Sequence, residues 1–201
     1  MLRKVFLLSV LGVVLGEGLL GGAVEAAAEE KQKMLFDFSE QDASRRWRNV
    51  NDGVMGGRSQ GRYQINSQGE LIFYGNLSLR NNGGFASVRS NARNLQLGSW
   101  NTIAVRVRGD GRKYFLDLRV PTYQTAFSYR VSIQTKKDTW QEFHVPLKMF
   151  QATSFGRPVR GASSANPSQI DSVGFTIADK REGAFQLNVD WIKAMQKKPK
   201  Q

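Results

Sequence analysis

The chain has 201 residues, 40% of them hydrophobic, and its 29 Lys and Arg against 17 Asp and Glu leave a formal charge of +12. It has no cysteine and a single histidine, His144, which excludes disulfides, thiolate nucleophiles and multi-histidine metal sites. The length suits one domain, and the charge favours acidic partners: anionic glycans, phospholipid headgroups, nucleic acid or acidic proteins.

In chain order, Met1–Lys4 carries Arg3 and Lys4, Val5–Gly16 is an apolar run, and Ala26-Ala27-Ala28 is a small-residue cleavage pattern. Residues 1–28 therefore read as a secretory signal peptide, with export to a periplasmic or secreted location. The alternative is an uncleaved anchor. No later segment is apolar enough to span a membrane. Residues 29–33 (EEKQK) form a polar lead-in, and 196–201 a basic tail expected to be disordered.

Residues 34–195 carry an almost wholly β pattern. Short alternating runs are separated by Gly, Asn, Asp and Ser clusters. Strands are expected near 34–38, 45–50, 58–66, 70–78, 84–90, 101–109, 112–120, 125–134, 140–147, 170–178 and 184–193. Many short antiparallel strands need an answer to their exposed edges, and a two-sheet β-sandwich of jelly-roll type supplies one at this length. The clearest hairpin is "NTIAVRVRGDGRKYFLDLRV", turning at Gly109-Asp110-Gly111. The one long loop, residues 154–169, carries Arg157, and Phe155 and Val159 are expected to pin it down.

Strand parity assigns faces. Ile103, Val105, Val107, Leu116, Leu118, Val120, Phe127, Tyr129, Val131, Ile133, Phe143 and Val145 face the core. Should their strands share a sheet, one polar face gathers Arg106, Arg108, Asp117, Arg119, Arg130, Glu142 and His144. Arginine offers a planar fork of donors for carboxylates, phosphates or sugar hydroxyls. The simpler alternative is a solvated face of cross-strand ion pairs.

Little else carries chemistry. His144 is the only possible base of a Ser-His-Asp triad, and no G-x-S-x-G elbow appears. No G-x-G-x-x-G follows a strand and opens a helix, and no spacing pairs carboxylates across a sugar. The expectation is a non-enzyme without cofactor or metal, although a structural calcium at "NDGVMGG" stays open. Asn51, Asp52, Asn81 and Asn82 are loop candidates for binding, beside glycine-rich turns. In "NNGGFASVRS", Gly83 and Gly84 supply a backbone corner, and Arg89 reaches either a partner or a buried carboxylate. Trp47, Tyr123 and Trp140 are the aromatics available to stack on a sugar.

Five blocks carry a resemblance: "NDGVMGGRS", "YGNLSLRNNGGFASVRS", "NTIAVRVRGDGRKYFLDLR", "WQEFHVPLKMF" and "IDSVGFTIADKREGAFQLNVDWIKA". In wording, order and spacing they resemble the complex I intermediate-associated protein 30 family, from about Leu35 to Ala194. The resemblance implies a galactose-binding-like β-sandwich and a chaperone-like assembly role without catalysis. It carries no catalytic motif to transfer. The mitochondrial members work in the matrix, so an exported chain departs from them. Two functions follow, ahead of a hydrolase, for which no convincing acid-base pair is present. One is a binding module of the cell envelope with a protein partner; the other is a carbohydrate-binding module for acidic glycans. A monomer without nucleic-acid partners is expected in either case.

Overall fold

The computed structural model describes residues 31–92, 94–121 and 127–197. Residues 1–30 lie outside it, and with them the signal-peptide reading. Tyr123 lies outside it as well.

Two antiparallel sheets are built from thirteen strands: β1 Lys31–Phe36, β2 Trp47–Asn51, β3 Gln60–Ile65, β4 Leu71–Leu77, β5 Ala86–Ser90, β6 Thr102–Gly109, β7 Lys113–Arg119, β8 Phe127–Gln134, β9 Trp140–Pro146, β10 Gln151–Ser154, β11 Arg157–Pro158, β12 Ser172–Ile177 and β13 Gly183–Gln196. The first sheet has the order β3-β4-β13-β6-β9, with β1 also on β13. The second has the order β11-β10-β8-β7-β12-β5-β2. The chain crosses repeatedly between them, which is the two-sheet sandwich that the strand spacing predicts.

The core lies between the sheets, because alternate residues of each strand point inward. Leu71, Phe73, Val88, Ile103, Val105, Val107, Leu116, Leu118, Phe175, Leu187 and Val189 are buried there. Tyr129, Ile133 and Val145 join them, and Phe127, Val131, Phe143 and Val120 pack against them half-buried. The first strand begins earlier than the polar pattern suggests, with Lys31 opposite Gln196 on β13. Strands β10 and β11 fall in a segment with no clear alternation.

Two expectations fail. The "GDG" segment does not turn a hairpin: β6 pairs with β13 and β9, whereas β7 pairs with β12 and β8 in the other sheet. Gly109–Gly111 is a corner between sheets. Nor do Phe155 and Val159 pin the long loop, since they are 60% and 37% exposed. Instead β10 and β11 pair, and Phe155 and Gly156 form their turn with positive φ.

The corner at Gly109–Gly111 is held from beneath. Arg112 is buried and donates to both Asp179 carboxylate oxygens at 2.9 and 2.6 Å. It also donates to the carbonyls of Arg181, Gly183 and Ala184. A second lock holds the opening of β5. Asp52 is fully buried and accepts from the Ser59 N–H (2.9 Å) and Oγ (2.6 Å), the Gly84 N–H (2.6 Å) and the Phe85 N–H (3.3 Å). Burial alone raises its carboxyl, but these bonds outweigh it and hold the group below the ordinary carboxylate range. The glycines of both loops make room: a Cβ on Gly57 or Gly83 would sit 2.5 or 2.6 Å from a carboxylate oxygen of Asp52. Gly84 takes φ 122°, and Asn81 and Asn82 are also left-handed. The corner in "NNGGFASVRS" is thus built around a carboxylate more than thirty residues upstream.

Candidate functional site

The outer face of the second sheet collects charge in a line. Arg48, Arg89, Gly174, Asp117, Arg130 and Gln151 are successive cross-strand partners on β2, β5, β12, β7, β8 and β10. Arg119 lies one step along β7 on the same face, opposite Ser172.

Asp117 is buried at the centre and its oxygens are occupied. Arg130 donates to both, at 2.6 and 3.0 Å, and the Thr176 hydroxyl donates at 2.6 Å. Arg119 stands off at 3.9 Å and donates to the Phe127 carbonyl at 3.1 Å. Its buried Nε has no partner among the described residues, and neither has Asp171 Oδ1 nearby.

Arg89 has no carboxylate partner among the described residues; its Nε donates to Ser87 Oγ at 3.1 Å. Its stem passes over Gly174, where an added Cβ would lie 3.3 Å from Arg89 Cγ. Burial and the positive fields of Arg119, Arg48 and Arg130, opposed by Asp117, bring the Arg89 guanidinium down to about 9. Burial likewise lowers Arg119, with Asp117 opposing. Such shifts mean that the charged forms are under-compensated. Arg89 remains protonated at neutral pH and has no carboxylate paired with it among the described residues.

Aromatic surface borders the charge. Arg130 lies 4.7 Å over the Phe115 ring. Exposed Phe155 sits at the β10–β11 turn, where a Cβ on Gly156 would be 3.6 Å from an Arg130 terminal nitrogen. Arg157 follows, exposed, on the edge strand. This face can hold a carboxylate with guanidinium donors around it.

The single Arg-rich face expected from strand parity is two faces on opposite sides of the molecule. Asp117, Arg119 and Arg130 belong here, joined by Arg89 and Arg48. Arg106, Arg108, Glu142 and His144 lie on the first sheet. There the arginines are matched by carboxylates: Arg106 pairs with Asp190 and approaches Glu142 at 3.9 Å, and Arg108 approaches Glu70 at 3.8 Å. His144 lies 3.6 Å from Glu142. Trp140 is capped by Arg106 and Arg108, each 4.9 Å from the ring centre, which leaves it little free ring surface.

The loop candidates fall elsewhere. Asp52 is a buried structural lock, Asn51 donates to the Gly61 carbonyl at 3.0 Å, and Asn81 donates to the Gly56 carbonyl at 3.2 Å. Asn82 is exposed beside them. Trp47 is core, against Phe36 and Phe38. Arg48, missed in the sequence, became legible only through its register opposite Arg89.

Comparison with known proteins agrees with this architecture. Complex I intermediate-associated protein 30 of Mus musculus, a mitochondrial protein, is 26% identical over 192 residues, covering 86% of this chain and 58% of its own length. The Drosophila melanogaster protein of the same name is 25% identical, covering 79% and 61%. The chain thus spans about 60% of these relatives. Among solved structures, the family 11 carbohydrate-binding module of Clostridium thermocellum, in complex with a β-1,3-1,4-mixed-linked tetrasaccharide, superposes with a TM-score of 0.60 at 18% identity. It covers 85% of this chain and 98% of that one, and shows a shared fold. The family model for complex I intermediate-associated protein 30 matches residues 36–189, and the chain belongs to that family.

Proposed function

We propose that the chain is a non-catalytic binding module with an assembly-factor role, and that it receives an acidic group of a partner protein on the outer face of its second sheet. The carrying observation is Arg89: half-buried, beside three other arginines, and without a carboxylate of its own among the described residues. Burying guanidinium charge costs free energy that a bound anion returns. Family membership supports an accessory role, and the locked Asp52 and Asp179 leave the buried carboxylates described above in structural work. Export through residues 1–28 belongs to the same proposal, with an envelope partner; the relatives compared above are mitochondrial.

Exposed Phe155, on the turn whose Gly156 lies next to Arg130, favours a second reading, an acidic glycan whose ring stacks while its carboxylate meets the arginines. Cross-linking and recovery of tagged full-length chain, against Arg89→Gln, separates the two. A specific protein lost with the substitution supports the first reading. Polysaccharide recovered in its place supports the second, and unchanged recovery removes this face from both.

A further inference from the structure

The end of the sandwich where β2 leads into β3 exposes apolar side chains on tied loops. Val54, Met55 and Leu79 are 75%, 52% and 40% exposed there, three of the seven exposed large apolar side chains among the described residues. They cannot relax into the core, because their loops are tied to one another. Asp52 binds the first loop to the second through Gly84 and Phe85, and Asn81 reaches the Gly56 carbonyl. Glu182 accepts from the Leu79 N–H at 2.8 Å and so joins the third loop, itself held by Arg112 and Asp179. Arg58, Arg80, Lys180 and Arg181 are exposed on the same three loops. Glu182 is the one exposed carboxylate on these three loops, and the other two acids, Asp52 and Asp179, are locked.

We propose that this end docks on an anionic lipid surface, seating Val54, Met55 and Leu79 among the headgroups while the four cations meet lipid phosphates. A rigid apolar tip with cations on the same loops is the chemistry of a peripheral membrane contact. Three side chains are too few for a stable protein interface, which buries about 800 Å² on each partner. The site is separate from the arginine face of the second sheet, so either can fail without the other.

The absence of cysteine from the chain makes the test direct. Full-length Val54→Cys carries an environment-sensitive dye, and Ser67→Cys, at the β3–β4 turn of the opposite end, serves as control. The dye at 54 is expected to shift to the blue on phosphatidylcholine vesicles containing phosphatidylglycerol, and not on phosphatidylcholine alone. The dye at 67 should not respond, even if residues 1–28 anchor the chain. Arg58→Ser with Arg80→Ser and Lys180→Ser should weaken vesicle binding roughly a hundredfold, and raised salt should weaken it in the same direction. No shift at 54, equal shifts at 54 and 67, or equal shifts on both lipids would overturn the proposal. So would a response that requires added protein.

Discussion

Arg48 on β2 and Arg89 on β5 stand directly opposite one another as cross-strand partners. Like charges in that register repel, and both lie on the face that Arg119 and Arg130 already make positive. A fold selected only for stability would not keep this pair.

Arg48→Ser should therefore stabilise the chain, by about 0.5 kcal/mol, or roughly 1–2 °C in Tm for a domain of this size. Thermal unfolding at low salt checks this, and the gain should shrink as salt is added. The same substitution should weaken partner recovery.

Asp52→Ala should cost about 3 kcal/mol or more, because the N–H groups of Ser59, Gly84 and Phe85 lose their shared acceptor inside the protein. Urea unfolding measures this directly. Asp52→Asn should cost less but still destabilise, since its amide nitrogen points a donor at another donor.

Acid should unfold the chain through its locked carboxylates. Asp52 and Asp179 both sit below the usual carboxylate range: burial raises each, and their hydrogen bonds, together with the Arg112 charge for Asp179, outweigh it. A depressed folded value means that the unfolded chain binds more protons at low pH. The stabilisation is complete above the unfolded value of about 4 and is lost as pH falls through the lower folded values. Urea midpoints between neutral pH and pH of about 3 should fall steeply, and Asp179→Asn should flatten the slope.

Gly174→Ala should destabilise by roughly 1–3 kcal/mol. The new methyl would lie 3.1 Å from Arg89 Cα and would collide with the Val88 carbonyl, forcing β5 and β12 apart. Equilibrium unfolding gives the loss, and altered Arg89 side-chain resonances should accompany it.

Much of this molecule was legible along each strand and little of it between strands. Parity placed Val105 and Leu116 correctly in the core because alternation is a local property of the extended chain. It could not say that β6 and β7 belong to different sheets. That follows from pairing with β13 and β12, each far along the chain from its partner, and the glycines of "GDG" suit a corner as well as a turn. Arg106 and Arg130 consequently looked like neighbours. Asp52 looked like a loop ligand because nothing local reveals that Gly83 and Gly84, far downstream, close over it. The paired glycines of both loops were the available signal, since each marks a place where something comes too near for a side chain.

The most direct test of the arginine face is NMR of the arginine Nε–H groups during titration with an acidic peptide, with Arg106 as internal control. Saturable shifts at Arg89 and Arg119, with Arg106 unmoved in its pair with Asp190, are the expected result. Uniform small shifts at all arginines, or none at Arg89, would contradict an anion site on the second sheet.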